Sequence, residues 1–352
     1  MTPRLSDPAS ESFRTSDFTV VCEGLGYPEG PIAMADGSVL LVELSAGTLT
    51  KVTPAGQREV VATLGGSPNG AAIGPDGQVY VCNSGGFTFL FVGKGGLSPV
   101  PSPGAIALTT DRAPNYVGGS IQRVDLRSGQ AVTLYREFPG MLGDGTHTLC
   151  GPDDLVFDTD GGFWFTDWGH SRGRVRDITG VYYAKADGSL IREVLFPLNA
   201  PNGIALSPDG SRLYVAETYT RRVLAWDLAG PGQIAKTGDA IDFSHLVTSQ
   251  IPFEGILDSM ALDEAGNIYV ATMLPHGPKI GQNGGLTVVS PEGEVLEFIE
   301  IAAGSIFDPL PSNICFGGAD RRTAFITLGG SGRLVRCGMR VPGLERAYEP
   351  LM

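Results

Sequence analysis

The sequence contains few of the residues that bind soft metals or form disulfides. It has 5 cysteines and 4 histidines among 352 residues. The cysteines are odd in number and scattered, with no CxxC pair, which argues against both a disulfide framework and a cysteine-based zinc site. There is also no GxSxG elbow, phosphate-binding loop or dinucleotide-binding fingerprint. Any chemistry is therefore expected to depend on other side chains.

Basic charge and long apolar runs are also scarce. The chain has 25 lysines and arginines against 38 aspartates and glutamates, a formal net charge of −13. Because a nucleic acid requires a positively charged binding surface, no nucleic acid partner is expected. No apolar run approaches the roughly 18 residues of a membrane span, and the N-terminus lacks the apolar region of a signal peptide. We therefore expect no membrane partner and a reducing, cytoplasmic setting.

Glycine and proline, in contrast, are abundant. The sequence contains 50 glycines and 25 prolines, and 42% of its residues are hydrophobic. This composition excludes collagen and disorder and leaves ample material for a large core. Short apolar runs separated by glycine and proline predict many short strands joined by turns.

A short repeat organises these strands. Each copy has a polar anchor residue in a tight turn, an apolar stretch, a second turn and another apolar stretch, as in PNGAAIGPDGQVYVCN. The residue seven positions after the anchor is Asp in five copies and Ala in one. The six anchors are Glu29, Asn69, Asp153, Asn202, Asp258 and Asn313.

A third apolar segment follows each pair, and most copies add a fourth. Four strands per unit in six units predict an all-β, six-bladed β-propeller with a central channel. We expect residues 1–352 to form this single domain, with residues 1–16 as a flexible N-terminal arm. The segment FTVVCE, just before the first anchor, is expected to supply the outer strand of the last blade and so to close the ring.

Chain direction predicts that one rim of the channel carries the functional residues. Strands alternate in direction within a blade, so the anchors and the loops after the second strands share one face. The second repeat unit contains an insertion, residues 84–117, at such a loop. A long insertion on one face is typical of a lid, and Phe87 with the neighbouring phenylalanines would form an apolar roof. The alternative is an excursion that only covers its own apolar residues.

The anchors predict a metal site. Three carboxylates directed at one axis would repel one another unless they are protonated or bridged by a cation. We expect one divalent ion, held by Glu29, Asp153, Asn202 and Asp258. Oxygen ligands favour Ca²⁺, with Mg²⁺, Mn²⁺, Fe²⁺ or Zn²⁺ as alternatives.

A second group of polar residues is expected near the ion. Residues at the ends of second strands lie 14 or 15 positions after their anchors, and a histidine there could act as an acid or base. His276, in a comparable place in the fifth unit, is a further candidate. The residues expected to contact substrate are Asn69, Asn83, Asp167, His170, Glu217, Phe87 and His147. Each could instead be an ordinary loop or turn residue.

Several segments carry a resemblance to a known family. The segments GYPEGP, CGPDDLVFDTDGGFWFTDWG, APNGIALSPDGSRLYVAET and LDSMALDEAGNIYVAT are similar to the senescence marker protein (regucalcin)/gluconolactonase/luciferin-regenerating-enzyme-like family. The likeness runs from about Phe18 to Arg336 and implies a six-bladed propeller with one catalytic divalent metal. It maps the ligands to Glu29, Asp153, Asn202 and Asp258, and makes Asp258 the candidate general base, unless it is only a ligand.

Two positions depart from the family pattern. The second ligand is often Asn in a PND motif, and here it is Asp153 in PDD. Regucalcin-like members have an arginine two residues before that ligand, to hold sugar hydroxyls, where this chain has Gly151. Both departures make a sugar-acid lactone a less natural substrate.

The resemblance implies a metal-dependent hydrolase that opens a lactone. In such an enzyme the cation polarises the carbonyl group and activates water. The alternatives are a phosphotriesterase-like hydrolase, a strictosidine-synthase-like propeller and a non-catalytic calcium-binding propeller. We expect a small-molecule lactone as the partner, and the sequence leaves a homo-oligomer open.

Overall fold

The computed structural model describes residues 11–93, 96–99, 106–237, 240–241, 245–248, 255–273, 283–302 and 310–350. These residues form strands, turns and bends and no helix. None of them, therefore, forms a helix long and apolar enough to cross a membrane.

The first three repeat units contain twenty strands, some of them short ribbons in loops. In chain order they are β1 (Thr19–Glu23), β2 (Pro28–Ala33), β3 (Val39–Glu43), β4 (Thr48–Val52), β5 (Arg58–Thr63), β6 (Pro68–Ile73), β7 (Val79–Asn83), β8 (Phe87–Gly93), β9 (Gly96–Ser98), β10 (Ile106–Arg112), β11 (Ser120–Val124), β12 (Ala131–Tyr135), β13 (Glu137–Pro139), β14 (Thr146–Thr148), β15 (Pro152–Phe157), β16 (Gly162–Asp167), β17 (Ser171–Arg172), β18 (Val175–Arg176), β19 (Thr179–Lys185) and β20 (Ile191–Leu198).

The last three units contain the remaining strands of the described chain. They are β21 (Pro201–Leu206), β22 (Arg212–Glu217), β23 (Arg222–Gly230), β24 (Gln233–Ile234), β25 (Lys236–Thr237), β26 (Ala240–Ile241), β27 (His245–Thr248), β28 (Ile256–Leu262), β29 (Ile268–Met273), β30 (Gly285–Val289), β31 (Val295–Glu300), β32 (Pro311–Gly317), β33 (Thr323–Leu328) and β34 (Arg333–Gly338).

The main strands form six antiparallel sheets, one for each repeat unit. From the inside outwards, the blades are β2-β3-β4-β5, β6-β7-β11-β12, β15-β16-β19-β20, β21-β22-β23 with β24 and β27, β28-β29-β30-β31, and β32-β33-β34-β1. The innermost strands contact one another in a closed sequence: β2, β6, β15, β21, β28, β32 and again β2. The prediction of a six-bladed β-propeller is therefore confirmed.

Strand β1 closes the ring as the sequence predicted. It pairs antiparallel with β34, with Thr19 opposite Arg336 and Glu23 opposite Arg333. The first strand of the chain is thus the outer strand of the last blade. This pairing covers an edge of β34 that would otherwise expose unpaired backbone groups.

Burial follows the position of a strand in its blade. The inner strand β2 and the second strand β3 are buried along their whole length, whereas the outer strand β5 is mostly exposed. Clusters of apolar residues fill the space between neighbouring blades, for example Tyr80 of blade two against Phe157 and Phe163 of blade three. Because both faces of each sheet are covered by neighbours, the strands are continuously apolar rather than alternating.

The turn after each inner strand has the side-chain cap that its sequence predicts. The carboxylates of Asp36, Asp76, Asp209 and Asp320 each accept the backbone N–H two residues ahead. In blades three and five the cap comes from Asp158 and Asp263, which lie five rather than seven positions after the anchor. Such a bond holds the tight turn together.

Part of the expected N-terminal arm is packed. Residues 1–10 lie outside the described residues, but the N–H of Phe13 donates to Glu297, and Thr15 donates to the carbonyl of Gly338. The Phe13 ring lies edge-on to Tyr269, with ring centroids 5.9 Å apart. The expectation of a flexible arm over residues 1–16 is therefore corrected for residues 11–16, because they bond to blades five and six.

The C-terminal segment crosses the mouth of the channel opposite the anchors. Leu344 donates its N–H to Leu262 in blade five, Arg346 donates to the carbonyl of Ala33 in blade one, and Tyr348 accepts the N–H of Gly161 in blade three. A cavity of about 940 Å³ lies at this end and is lined by the segment and by the inner strands. The crossing of this channel mouth by the C-terminal segment was not predicted from the sequence.

Candidate active site

All six anchors lie at the start of an inner strand. Four are the second residue of the strand and two, Asp258 and Asn313, are the third. All six side chains are buried, none being more than 7% exposed. The predicted convergence at one rim is therefore present, although the role of the anchors in binding a metal or substrate stays a prediction.

Glycine after the anchor allows neighbouring inner strands to approach closely. A Cβ atom on Gly70 would lie 2.5 Å from the carbonyl oxygen of Asp153, and one on Gly203 would lie 2.8 Å from the carbonyl oxygen of Asp258. Contacts this short between a Cβ and backbone atoms are sterically forbidden. The PNG motif thus brings the anchors of blades two and three, and of blades four and five, next to each other.

Three carboxylates at this rim act on one another electrostatically. Burial raises the pKa of Glu29 well above its usual value, and the charge of Asp258 raises it further. Burial and the charge of Glu29 likewise raise the pKa of Asp153. Burial and the charge of Asp153 do the same for Asp258. The three groups therefore share one site, where their negative charges repel unless a proton or a cation intervenes.

Amide and hydroxyl groups hold the carboxylates in place. Asn69 donates from Nδ2 to Oδ2 of Asp153 at 2.8 Å. Asn202 donates to the hydroxyl of Thr218 at 3.3 Å, and a hydrogen bond from it favours the ionised form of Asp258. The backbone N–H of Gly30 donates to Oε2 of Glu29 at 3.0 Å.

The donor atoms fit a hard cation in their chemistry. Oδ1 of Asp153 is buried and has no hydrogen-bond partner, which is costly for a carboxylate oxygen. Among the described residues, however, no three Asp, Glu, His or Cys side chains converge as a complete metal-ligand cluster. The fit therefore rests on the unpartnered oxygen, the three repelling carboxylates and their oxygen chemistry.

Asp154 belongs to the site although the sequence analysis did not select it. Its side chain is buried, and burial raises the pKa of the carboxyl to about 7. It lines the central cavity below the anchors. The sequence did contain a signal for Asp154. The residue after the anchor is Gly in three copies and Ser or Ile in two, and only blade three has a carboxylate there.

The residues at the ends of second strands have a structural role. Asp167 accepts backbone N–H groups of Cys150, Gly151 and Gly169, at 2.7, 2.8 and 2.9 Å. Asn83 accepts those of Ser67 and Gly85, and Glu217 accepts that of Asn199.

These bonds fix the chain just before each anchor. The buried polar atoms of Asn83, Asp167 and Glu217 thus bond to the protein, and their contact with a substrate stays a prediction.

His170 lies beneath the insertion rather than in the open channel. It is fully buried, its Nε2 is 2.7 Å from the carbonyl oxygen of Ser84, and its ring packs on Phe87 with centroids 4.6 Å apart. Burial lowers the pKa of the imidazole, so the ring is neutral and Nε2–H donates to Ser84. Its Nδ1 has no hydrogen-bond partner. A contact between this atom and a substrate stays a prediction.

His147 is placed away from the channel. It lies on β14, pairs with Phe138 of β13, and contacts Asp144 at 3.1 Å on the protein surface. The β13–β14 ribbon packs beside β20, the outer strand of blade three. The ribbon therefore holds His147 on the surface beside blade three, and its expected contact with substrate stays a prediction. His276 lies outside the described residues.

The insertion forms an apolar cover over the anchor rim. Phe87 and Ala107 belong to a cluster with Tyr27 and Leu44 of blade one, Trp168 of blade three and Ala200 of blade four; Phe89 and Phe91 pack against it. The N–H of Ala107 also donates to the carbonyl of Gly330 in blade six. The described residues of the insertion thus contact several blades at the anchor end, as the lid hypothesis expects, although contact of Phe87 with substrate stays a prediction.

Two curated relatives are enzymes that act on lactones by name. Lactonase drp35 of Staphylococcus epidermidis is 28% identical over 264 residues, which is 73% of this chain and 65% of that protein. The gluconolactonase of Zymomonas mobilis is 25% identical over 321 residues, which is 85% of this chain and 75% of that protein. The match with lactonase drp35 thus covers slightly less than two thirds of that relative's length.

Solved structures share the fold at low sequence identity. A luciferin-regenerating enzyme matches with a TM-score of 0.66 and 16% identity, covering 96% of this chain and 100% of that one. Regucalcin of Agrobacterium tumefaciens, described as a calcium-binding protein, matches with a TM-score of 0.64 and 17% identity, covering 95% and 98%.

The match to a family model covers most of the propeller. The model described as the SMP-30/gluconolactonase/LRE-like region aligns with residues 27–330, which include all six anchors and the insertion. The chain therefore belongs to the SMP-30/gluconolactonase/LRE-like family.

Proposed function

We propose that this protein is a lactonase that uses a divalent cation held by Glu29, Asp153, Asn202 and Asp258. The observation that carries the proposal is the meeting of three buried carboxylates at one end of the channel, with Oδ1 of Asp153 unpartnered. The names of the two curated relatives support lactones as the substrate class. Without a cation, these buried carboxylates would have to take up protons to relieve their repulsion, as their raised pKa values indicate.

The cation would supply a Lewis acid for the lactone carbonyl and lower the pKa of water. Ca²⁺ suits the all-oxygen donor set, and Mg²⁺, Mn²⁺, Fe²⁺ or Zn²⁺ are the alternatives to test. One structural neighbour, regucalcin, is described as a calcium-binding protein, which is consistent with Ca²⁺ as the first cation to test.

The protein's own groups would orient the reactants and move the proton. Asp258 accepts a proton from the attacking water as its oxygen adds to the carbonyl carbon. The ring C–O bond then breaks, and the proton passes to the departing alkoxide oxygen, which gives a hydroxy acid. Asn202 and the backbone N–H of Ser259 favour the ionised, proton-accepting form of Asp258. Asn69 holds Asp153 through its 2.8 Å hydrogen bond.

The covered rim would keep bulk water away from the reacting ester. Trp168 and Phe87 are both buried at this rim, with ring centroids 5.7 Å apart, and the insertion lies above them. Exclusion of water strengthens the electrostatic effect of nearby charges. The cytoplasmic setting, the lack of a nucleic acid or membrane partner and any oligomerisation stay predictions.

A lactone panel with metal-free enzyme tests the proposal. The enzyme is stripped with a chelator and then assayed with each of the five cations on aldonolactones, aliphatic lactones, aromatic lactones and an aryl phosphotriester. We expect ring opening of at least one lactone, lost on stripping and restored by one or two cations. Calorimetry should show the same cation binding without substrate, which separates binding from turnover.

Glu29→Gln is the informative variant, with Glu59→Gln on the exposed outer strand of blade one as its control. Both changes remove one carboxylate, but only the first touches the site. We expect Glu29→Gln to lose cation binding and turnover while Glu59→Gln keeps both. Cation binding without hydrolysis of any ester would support a non-catalytic calcium-binding propeller, and turnover of the phosphotriester alone would support a phosphotriesterase.

A further inference from the structure

A cationic side chain lies beside the candidate site on an element that the sequence analysis did not select. The short hairpin β17–β18 follows the second strand of blade three and carries Arg176. Arg176 is half-buried, and burial lowers the pKa of its guanidinium. Arginine remains charged under these conditions because its intrinsic pKa is above 12.

Two aromatic rings hold this guanidinium. Its central carbon lies 3.7 Å from the ring centroid of Trp168 and 4.8 Å from that of Tyr219. Its Nη1 donates to the hydroxyl of Ser171 at 3.1 Å, and its Nη2 donates to the carbonyl of Trp168. Its Nε is buried and has no hydrogen-bond partner. A cation stacked in this way keeps a fixed orientation, and the two bonds named use only two of its five N–H donors.

The aromatic pair connects Arg176 to the expected metal ligands. The indole N–H of Trp168 donates to Thr218 at 3.0 Å, and the same hydroxyl accepts a bond from Asn202 at 3.3 Å. The charge of Arg176 is close enough to lower the pKa of Asp153. Tyr219, on its other side, is within electrostatic reach of Asp258 and is 47% exposed. Tyr219, which packs on the guanidinium, therefore marks a solvent-exposed edge of the site.

No cation can come from the chain just before Asp153. A Cβ atom on Gly151 would lie 2.8 Å from the carbonyl oxygen of Gly169 and 3.1 Å from Nε2 of His170. A side chain at this position would have to displace backbone atoms of the loop after β16, so any positive side chain beside Asp153 has to come from another element. Arg176 is the cation that the described contacts place there.

We propose that Arg176, held between Trp168 and Tyr219, forms a carboxylate-binding subsite, so that the substrate is a lactone bearing a carboxylate. This inference rests on the proposed lactonase function. The carboxylate would accept hydrogen bonds from the guanidinium, while the lactone ring lies toward the carboxylate cluster. The apolar cluster of Tyr27, Phe87 and Trp168 matches the hydrocarbon part of such a ring better than it matches a polyhydroxylated sugar.

A matched pair of substrates tests the subsite. One is a γ-butyrolactone with a carboxylate on the carbon next to the ring oxygen, and the other is its uncharged carboxamide. We expect the native enzyme to favour the carboxylate, and Arg176→Gln to raise KM for it by about 10- to 100-fold, the usual loss for a hydrogen bond to a charged group. KM for the carboxamide should change less than about twofold, and kcat should stay similar for both.

Arg174→Gln is the control, because Arg174 is exposed on the same hairpin and the substitution removes the same charge. Arg176→Lys keeps the charge and should recover part of the preference. If Arg176→Gln lowers turnover of both lactones equally and weakens cation binding, Arg176 only compensates the charge of Asp153, and the subsite is refuted.

A binding measurement keeps the subsite separate from the lactonase proposal. Tetrahydrofuran carboxylate, which has no ester, should quench tryptophan fluorescence in native protein and in Arg174→Gln but not in Arg176→Gln. Trp168→Phe should remove the signal, because Trp164 and Trp226 are enclosed in the core between blades three and four. No quenching in the native protein would overturn the subsite even if lactones are hydrolysed. Quenching without hydrolysis of any lactone would instead leave the subsite standing and overturn the proposed activity.

Discussion

Replacing Gly70 with alanine should force the inner strands of blades two and three apart. A Cβ atom at this position would lie 2.5 Å from the carbonyl oxygen of Asp153 and 2.6 Å from both Cα and Oδ1 of Asp154. Non-bonded carbon atoms normally approach to about 3.5 Å, so these atoms would have to retreat by about 1 Å. Two of the three are backbone or Cα atoms of a buried strand, which cannot move away by rotating a side chain.

The expected loss of stability is about 3 kcal/mol, at the upper end of the range for overpacking in a core. For a domain of this size, with an unfolding entropy of about 2.1 cal/mol/K per residue, this corresponds to a fall in Tm of about 4 °C. Gly203→Ala should cost less, because its three nearest contacts are all 2.8 Å. Gly188→Ala is the control: its φ is 84° and no atom lies within 4 Å of the added Cβ. It should cost only the backbone strain, about 1 kcal/mol.

Thermal denaturation of the four proteins, native and variant, measures this order directly. The expected ranking of the fall in Tm is Gly70→Ala, then Gly203→Ala, then Gly188→Ala. Calorimetry should also show weaker cation binding for Gly70→Ala, because the displaced carbonyl belongs to Asp153. If Gly70→Ala is no less stable than Gly188→Ala, the close approach of blades two and three is refuted as the reason for the PNG motif.

Three further predictions concern the site and its cover. Asp258→Ala should reduce kcat at least about a hundredfold, the usual contribution of a general base, with an unchanged circular dichroism spectrum; full lactonase activity would remove it from the site. Asn69→Ala should weaken cation binding about tenfold in calorimetry, since a partner that holds a ligand typically contributes this much; unchanged affinity would show that its bond to Asp153 does not matter. Replacing residues 87–112 by a short linker should change the order of preference in the lactone panel and leave cation binding intact, and the same preference without the insertion would contradict its role as a lid.

The repeat made most of the architecture predictable. Six anchors at one place in each copy, followed by a capped turn, gave the number of blades and the first residues of every inner strand. The pairing of β1 with β34 was predictable too, because a ring of blades leaves one strand position to be filled by the start of the chain. Period and turn chemistry are local properties, and they are therefore readable from the sequence.

Local sequence did not show which polar residues are left unpartnered at the rim and which hold the backbone in place. Asp153 and Asp167 both looked like site residues, yet Oδ1 of one has no partner while the other bonds to three backbone N–H groups. Only the tertiary structure decides this, because Cys150 and Gly151 reach Asp167 only when the inner and second strands of the blade pair. The position of His147 on a ribbon beside an outer strand likewise depends on how the chain folds back on blade three.

By itself, the sequence determined that this protein is a closed ring of six blades with carboxylates and amides at one rim, because a repeat places equivalent residues at equivalent positions. The tertiary structure decided which side chains accompany them. Arg176 reaches the rim from a two-residue strand, and Asp154 points into the channel below it. Arg176 has no repeat equivalent, so only the packing of its hairpin brings it to the rim, whereas Asp154 occupies a repeat position that carries Gly, Ser or Ile in the other copies.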